Sequence, residues 1–540
     1  MQRAINRICI TRSFRRFASS GEKSGKSDGK EGEPSVAIPG KQVQGKVLMM
    51  YKQFPSRTHV TRMLWGERMK QMVAQSEIST LENTSDNKSS SSKSPWQQGQ
   101  GSVSSATPGL ARSKSGRPIV DGDSKLPPRR MADSFCQVYL PFATNLALRE
   151  EYVNVFGGLR FGKFLEDLDA LAGSIAYAHC EVTQVPDKLD QPTTKPNAVG
   201  EAPRNVIVTA SVDRLDLLSD VKRTDDIRMG GKVTSVGKSS MEVTIRIEKA
   251  LPSETGSASW ALVAVAKFIM VARDPKTQKA VFVNPLIIET EEEKLLYQLA
   301  LENKHRKTLE SEMSLERFPP TSEESSFLHH LFLLAMRHSK PAGAGPPAPS
   351  ATNLGLETAP VVFMADYVLS SFHFCQPQER NIHHFMFGGY LMREAFELAF
   401  TSASFFLQGR RPLFRALDDI HFRKSVPVGS ILRFSAQVIY AGCEATNRAF
   451  QVRVVADVMN PKEHGMRSFV TTNVFYFTFE TIEMMPRDEQ VPTPSNRFLP
   501  VLVPRTYGEA MDYLAGKRRH ERGLILSRRH EMDLDSYPRS

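Results

Sequence analysis

Residues 161–176 read FGKFLEDLDALAGSIA, and residues 387–403 read FGGYLMREAFELAFTSA. Each opens on a glycine turn and continues with apolar residues at helical spacing. In the first these are Phe161, Phe164, Leu165, Leu168, Leu171, Ala172 and Ile175; in the second, Phe387, Leu391, Ala395, Leu398 and Ala399. The two motifs are separated by 226 residues, from Phe161 to Phe387. Alternating, β-branched segments follow each: NVIVTASVDRLDLL, GGKVTSVGKSSMEVTIRIE and SWALVAVAKFIMVAR after the first, then FRALDDIHFRK, GSILRFSAQVIYA, AFQVRVVADVM and FVTTNVFYFTFE after the second. One helix followed by consecutive long strands, twice over, predicts an α+β chain in which each antiparallel sheet wraps a central helix.

The rest of the chain frames these halves. A length of 540 residues exceeds one ordinary core, and 40% hydrophobic content is enough to fill two. The formal charge of +11 suits polyanionic partners such as phosphorylated cofactors, nucleic acid or anionic lipid, without choosing among them. Five scattered cysteines without CxxC spacing indicate neither a disulfide framework nor a zinc site. The run WALVAVAKFIMVA is too short to span a bilayer and reads as a buried strand.

Residues 1–17 contain Arg3, Arg7, Arg12, Arg15 and Arg16 among apolar and hydroxyl residues, and no acid precedes Glu22. This is the composition of a mitochondrial transit peptide, with RRFAS as a processing site and the matrix as destination. Residues 18–126 read as a mostly disordered N-terminal region; its insertion NTSDNKSSSSKSPWQQGQGSVSSATPG is too poor in apolar residues to offset chain entropy. Connecting helices are expected over 291–340, a linker over 341–355 and a basic tail over 506–540.

LEDLDALAGSIAYAHC, IVTASVDRLDLL, MGGKVTSVGKSSMEVTIRIE, FGGYLMREAFEL and ALDDIHFRKSVPVGSIL together resemble the acyl-coenzyme A thioesterase family, and its mitochondrial branch in particular. The resemblance implies a tandem hotdog fold, with domains at 127–290 and 356–505. It also implies hydrolysis of acyl-CoA to fatty acid and CoA with no metal and no cofactor, CoA being part of the substrate, and a homo-oligomeric assembly. A thioester hydrolase needs donors aimed at the developing oxyanion and a carboxylate that activates or orients water.

Asp169 falls on the family's acidic position, at the margin of the apolar stripe. Asp167 lies on the other margin, and Glu166 reads as a solvated residue. The Gly388 and Gly389 amides, at a helix N-terminus, are placed to hold a carbonyl oxygen; a glycine turn required only for close packing is the competing reading. The resemblance implies a small hydrogen-bonding residue, commonly asparagine, two or three positions ahead of FGG. This chain has His384, Phe385 and Met386 there, with Asn381 further upstream. His384 is the candidate donor or base in that place, its ordinary pKa being near 6.5; a substitution that leaves the site impaired is the competing reading. His383 matches no family position, and Glu394 is open between buried structural acid and participant.

In the resemblance, Arg160 and Lys238 match positions near the CoA region; a simply solvated cation is the competing reading for each. No GxSxG elbow, GxGxxG or P-loop competes. The alternative is a thioesterase-like scaffold or binding protein in an RNA–protein assembly, favoured by the altered HHFMFGG loop, the insertion and the basic GKRRHERGLILSRRH. Nucleic acid is not the expected partner, because no RNA-reading module is recognisable.

Overall fold

The strand residues 259–273 bury every second side chain over most of their length, so their apolar face needs a cover, and that cover is a helix. The computed structural model describes residues 58, 60–64, 119–120, 126–180, 205–251, 259–274, 277–312, 314–315, 317–338, 361–381, 385–408, 410–442, 448–459, 469–481 and 499–533. The expected transit peptide, the Ser-rich insertion and the linker at 341–355 lie outside the described residues, as do His383 and His384.

Two six-stranded sheets form. The first has the order β9-β2-β6-β5-β4-β1, from β1 (Cys136–Leu140), β2 (Val206–Val212), β4 (Ile227–Val236), β5 (Ser240–Leu251), β6 (Ser259–Arg273) and β9 (Ile420–His421). The second has the order β7-β10-β11-β12-β8-β3, from β3 (Leu215–Asp216), β7 (Val368–Phe374), β8 (Pro412–Leu417), β10 (Ile431–Ala441), β11 (Ala449–Met459) and β12 (Val470–Thr481). The first sheet packs on α1 (Phe161–Cys180) and the second on α4 (Gly388–Phe406). Leu168, Leu171, Ala172 and Ile175 of α1 and Met392, Ala395 and Ala399 of α4 are fully or almost fully buried, as the helical spacing of apolar residues requires.

The sheets are not closed units. β3 belongs by sequence to the first half but pairs with β8, Leu215 opposite Leu417 and Asp216 opposite Ala416. β9 returns the exchange on β2, Ile420 opposite Val212 and His421 opposite Ser211. The Leu217 N–H donates to the Arg415 carbonyl and the Phe422 N–H to the Ala210 carbonyl, each at 2.9 Å. The receiving strands β2 and β8 bulge at the same point, between Thr209 and Ser211 and between Phe414 and Ala416, which bends each towards its partner. The halves are thus related by an approximate two-fold axis.

Charged side chains tie down this crossing. Arg214 bonds Asp216 at 2.6 Å and Asp418 at 2.5 Å. Lys307, from α2 (Glu291–Glu312), pairs with Asp213 and, at 3.5 Å, with Asp419. α3 (Ser322–His338) and α5 (Tyr507–Asp533) complete the chain.

The basic C-terminal segment is therefore a helix docked on β10 rather than a tail. Its apolar Ala510, Tyr513 and Leu514 are buried against the second half. Three of its cations are engaged internally: Arg518 bonds Glu324 at 2.6 Å, Arg522 reaches Glu310 at 3.3 Å, and the Arg519 guanidinium lies 3.6 Å from the centre of the Tyr476 ring.

Residues 127–312 and 355–505, expressed separately, should each fail to give a soluble monomer with a cooperative melt, because each would expose the edge its partner's strand covers. Size-exclusion chromatography and thermal melts check this; two soluble, cooperatively melting halves would contradict it.

Candidate active site

α1 and α4 pack against each other across the two-fold. A Cβ on Gly162 would lie 3.3 Å from the Phe396 ring, and one on Gly389 would lie 2.9 Å from the Glu166 carbonyl oxygen. These glycines are counterparts, and so are the first helical residues, Phe161 and Gly388. The true repeat is 227 residues, one more than the FG motifs suggest. Phe161 matches Gly388, not Phe387.

In this register Asp169 corresponds to Phe396. Thr209 and Phe414, the residues just before the two bulges, also correspond. The two related clefts therefore carry different chemistry. In the first, Asp169 is 2% exposed, and its Oδ1 accepts a 2.7 Å hydrogen bond from the Thr209 hydroxyl. Its Oδ2 lies only 2.9 Å from where a Cβ on Gly388 would stand, with the Phe422 ring 3.4 Å from the same point. A carboxylate of one half thus meets the helix N-terminus of the other. Phe387 at its N-cap makes no side-chain capping hydrogen bond, and first-turn amides, which lack partners within a helix, suit an oxyanion. The entering loop is fixed by Asn381, whose Oδ1 accepts from the Phe385 N–H at 3.1 Å, and by the Met386 N–H, which donates to the Val426 carbonyl at 2.9 Å.

In the second cleft rings replace these groups. Phe414 has its centroid 5.2 Å from both Phe396 and Phe161, so the cleft is filled by apolar contact. Asn154 retains the loop-closing role of its counterpart Asn381, accepting from the Phe156 and Gly158 N–H groups at 2.9 and 3.0 Å.

The family profile described as "Thioesterase superfamily" matches residues 161–253. The protein named acyl-coenzyme A thioesterase 9, mitochondrial, of Bos taurus is 38% identical over 405 residues, which is 74% of this chain and 80% of that one. Its Homo sapiens namesake is 37% identical over 74% of this chain and 80% of its own. The chain belongs to the acyl-coenzyme A thioesterase family. An acyl-coenzyme A thioesterase 4, mitochondrial, of Humulus lupulus shares 35% identity over 68% of this chain and 64% of its own. The architecture of two sheet-wrapped helices is the tandem hotdog that the resemblance implied.

With membership of the thioesterase family established, the candidate residues sort by place. Asp169 and Gly388 come together. Asp169 is sealed rather than standing at an open margin, because α4 covers the side of α1 that a helical wheel leaves to solvent. Glu166, read as solvated, is fully buried and bonded to Arg393 at 2.6 Å for the same reason. Asp167 is also fully buried; it accepts from Thr58, from Tyr152 Oη at 2.5 Å and from Thr61 at 3.2 Å. Burial pushes its carboxyl up to about 7 against the pull of the Thr58 and Tyr152 hydrogen bonds.

Gly389 lies at the helix–helix contact, where an added Cβ would stand 2.9 Å from the Glu166 carbonyl oxygen. Arg160 stands at the start of α1, beside the aromatic cleft, with Nε 2.7 Å from Glu397, and so is not at the Asp169 cleft. Lys238 is exposed in the β4–β5 turn, and no hydrogen bond or ion pair joins it to Asp169. Glu394 is half-buried and paired with Arg393 at 3.0 Å. Among the described residues, no group of three His, Cys, Asp or Glu could hold a metal ion, and no helix is long and apolar enough to cross a membrane.

The sequence gives no sign of the Thr209 and Phe422 contacts, and it shows Asn381 only as lying upstream of the turn. Thr209 looked like any strand residue. The 227-residue spacing of Asn154 and Asn381 was the available signal for the correct register.

Gly388 and Gly389 should separate on substitution. Gly388→Ala sets a methyl against the Asp169 carboxylate and is expected to lower kcat roughly 10-fold or more with a near-normal melt. Gly389→Ala meets a backbone carbonyl and is expected to lose about 1–3 kcal/mol of stability. Steady-state kinetics with thermal melts on both variants checks the contrast.

Proposed function

We propose that the protein hydrolyses acyl-CoA thioesters to free fatty acid and CoA in the mitochondrial matrix, using one site per chain. The supporting observation is the buried Asp169 carboxylate, bonded to Thr209 and set against the N-terminus of α4. The thioester carbonyl oxygen lies at the first-turn amides of α4, where developing negative charge meets N–H groups and the positive end of the helix dipole. Asp169 takes a proton from the attacking water as its oxygen bonds to the carbonyl carbon. Collapse of the tetrahedral species breaks the C–S bond, and CoA leaves as thiolate, which takes up a proton. Thiols ionise near pH 8.5, so this leaving group is good.

Side chains and main-chain amides suffice for this chemistry, and CoA enters and leaves as part of the substrate. Val368, Phe372 and Phe374 expose apolar side chains along the edge strand β7, which supports assembly into a homo-oligomer.

Asp169→Asn keeps the shape and the Thr209 contact but removes the base. The expected result is a fall in kcat of roughly 10²-fold or more with little change in melting temperature. Unchanged turnover in the folded variant rejects the assignment, and a large melting loss shows a structural role instead.

A further inference from the structure

Where α1 and α4 cross lie Glu166 and Arg393, 227 residues apart and therefore each other's counterparts. One position carries the acid and the other the base. Arg393 Nη1 is 2.6 Å from Glu166 Oε2, and the side chains are 9% and 0% exposed. Arg393 is steadied by Glu394 at 3.0 Å, and its guanidinium lies 5.3 Å from the centre of the Tyr390 ring. A pair so placed fixes how the two helices sit along and around each other.

That relation is what the chemistry needs. Asp169 lies three residues beyond Glu166 on α1, so the two are neighbours on the helix surface. On the opposing side, Gly389 lies so close to Glu166 that an added Cβ would stand 2.9 Å from its carbonyl oxygen. The ion pair therefore joins the two backbone segments that carry the carboxylate and the amides. Stability alone is a poor reason for it, since well-packed apolar residues of similar volume often hold an interface as firmly as a buried ion pair. A charged pair adds direction, because only a narrow range of helix positions lets both groups keep their bonds.

We propose that the Glu166–Arg393 pair is a positioning element of the active site, setting the distance between Asp169 and the α4 N-terminus and acting on turnover rather than on substrate binding. The proposal rests on the thioesterase reading of that site. The two-fold also makes the pair reversible: an arginine at 166 would have Asp167 beside it, as Arg393 has Glu394.

The test measures kcat, KM and melting temperature for the mature protein, Glu166→Gln, the reversed Glu166→Arg/Arg393→Glu double variant and Asp169→Asn, using one acyl-CoA and rates per folded molecule. Glu166→Gln is expected to lower kcat roughly 10-fold with KM within about twofold, and the reversed pair to recover most of that loss. Wild-type kcat in folded Glu166→Gln, or a change in KM alone, overturns the proposal. If the double variant does not fold, the split between kcat and KM in Glu166→Gln decides by itself. Wild-type kcat in Glu166→Gln beside an inactive Asp169→Asn refutes this proposal alone, whereas an Asp169→Asn variant with wild-type turnover removes both readings.

Discussion

Two short strands, Leu215–Asp216 and Ile420–His421, cross from their own half to the sheet of the other. Backbone groups on a sheet edge must be paired, and here each half supplies the pairs its partner lacks. The exchange brings the sheets edge to edge and leaves α1 and α4 with one place to lie, face to face. It also delivers Phe422, the residue after β9, to the point where Asp169 meets Gly388. The candidate site is thus a consequence of the crossing: its carboxylate comes from one half and its amides from the other.

The same geometry, built twice, carries a carboxylate in one copy and rings in the other. A buried carboxylate is costly without partners, and Asp169 has the Thr209 hydroxyl and the α4 terminus. At the related place, Phe396 and Phe414 fill the volume with rings in edge contact, interplanar angle 85°. Aromatic packing of this kind carries its own stabilisation, and it links Phe161, Phe396, Phe400, Phe477 and Phe479 into one cluster. One cleft keeps polar groups suited to chemistry; the other contributes to the core.

Much of this was legible in the sequence because it depends on periodicity. The two helices, the long strands and the glycine turns follow from apolar spacing within a single element, whereas Asp169 was singled out by the resemblance to the thioesterase family. What was not legible depends on contacts between elements. Glu166 and Asp167 read as solvated or marginal on a helical wheel, yet α4 covers the first, and Tyr152 with Thr58 and Thr61 covers the second. Thr209 is ordinary within its strand and becomes significant only through the bulge that turns it towards Asp169. The one-residue error in the repeat arose because FG recurs by coincidence, with Phe161 occupying a position that is glycine in the second half.

The central claim is one working cleft per chain, and the most direct measurement is the binding stoichiometry of a non-hydrolysable thioether analogue of an acyl-CoA by isothermal titration calorimetry. The account predicts one analogue per chain, with binding lost when the site is blocked by a bulky residue at Gly388 and retained when Phe414 is replaced by leucine. Two equivalent molecules per chain, or binding that survives the block at Gly388 and disappears with Phe414→Leu, would contradict it.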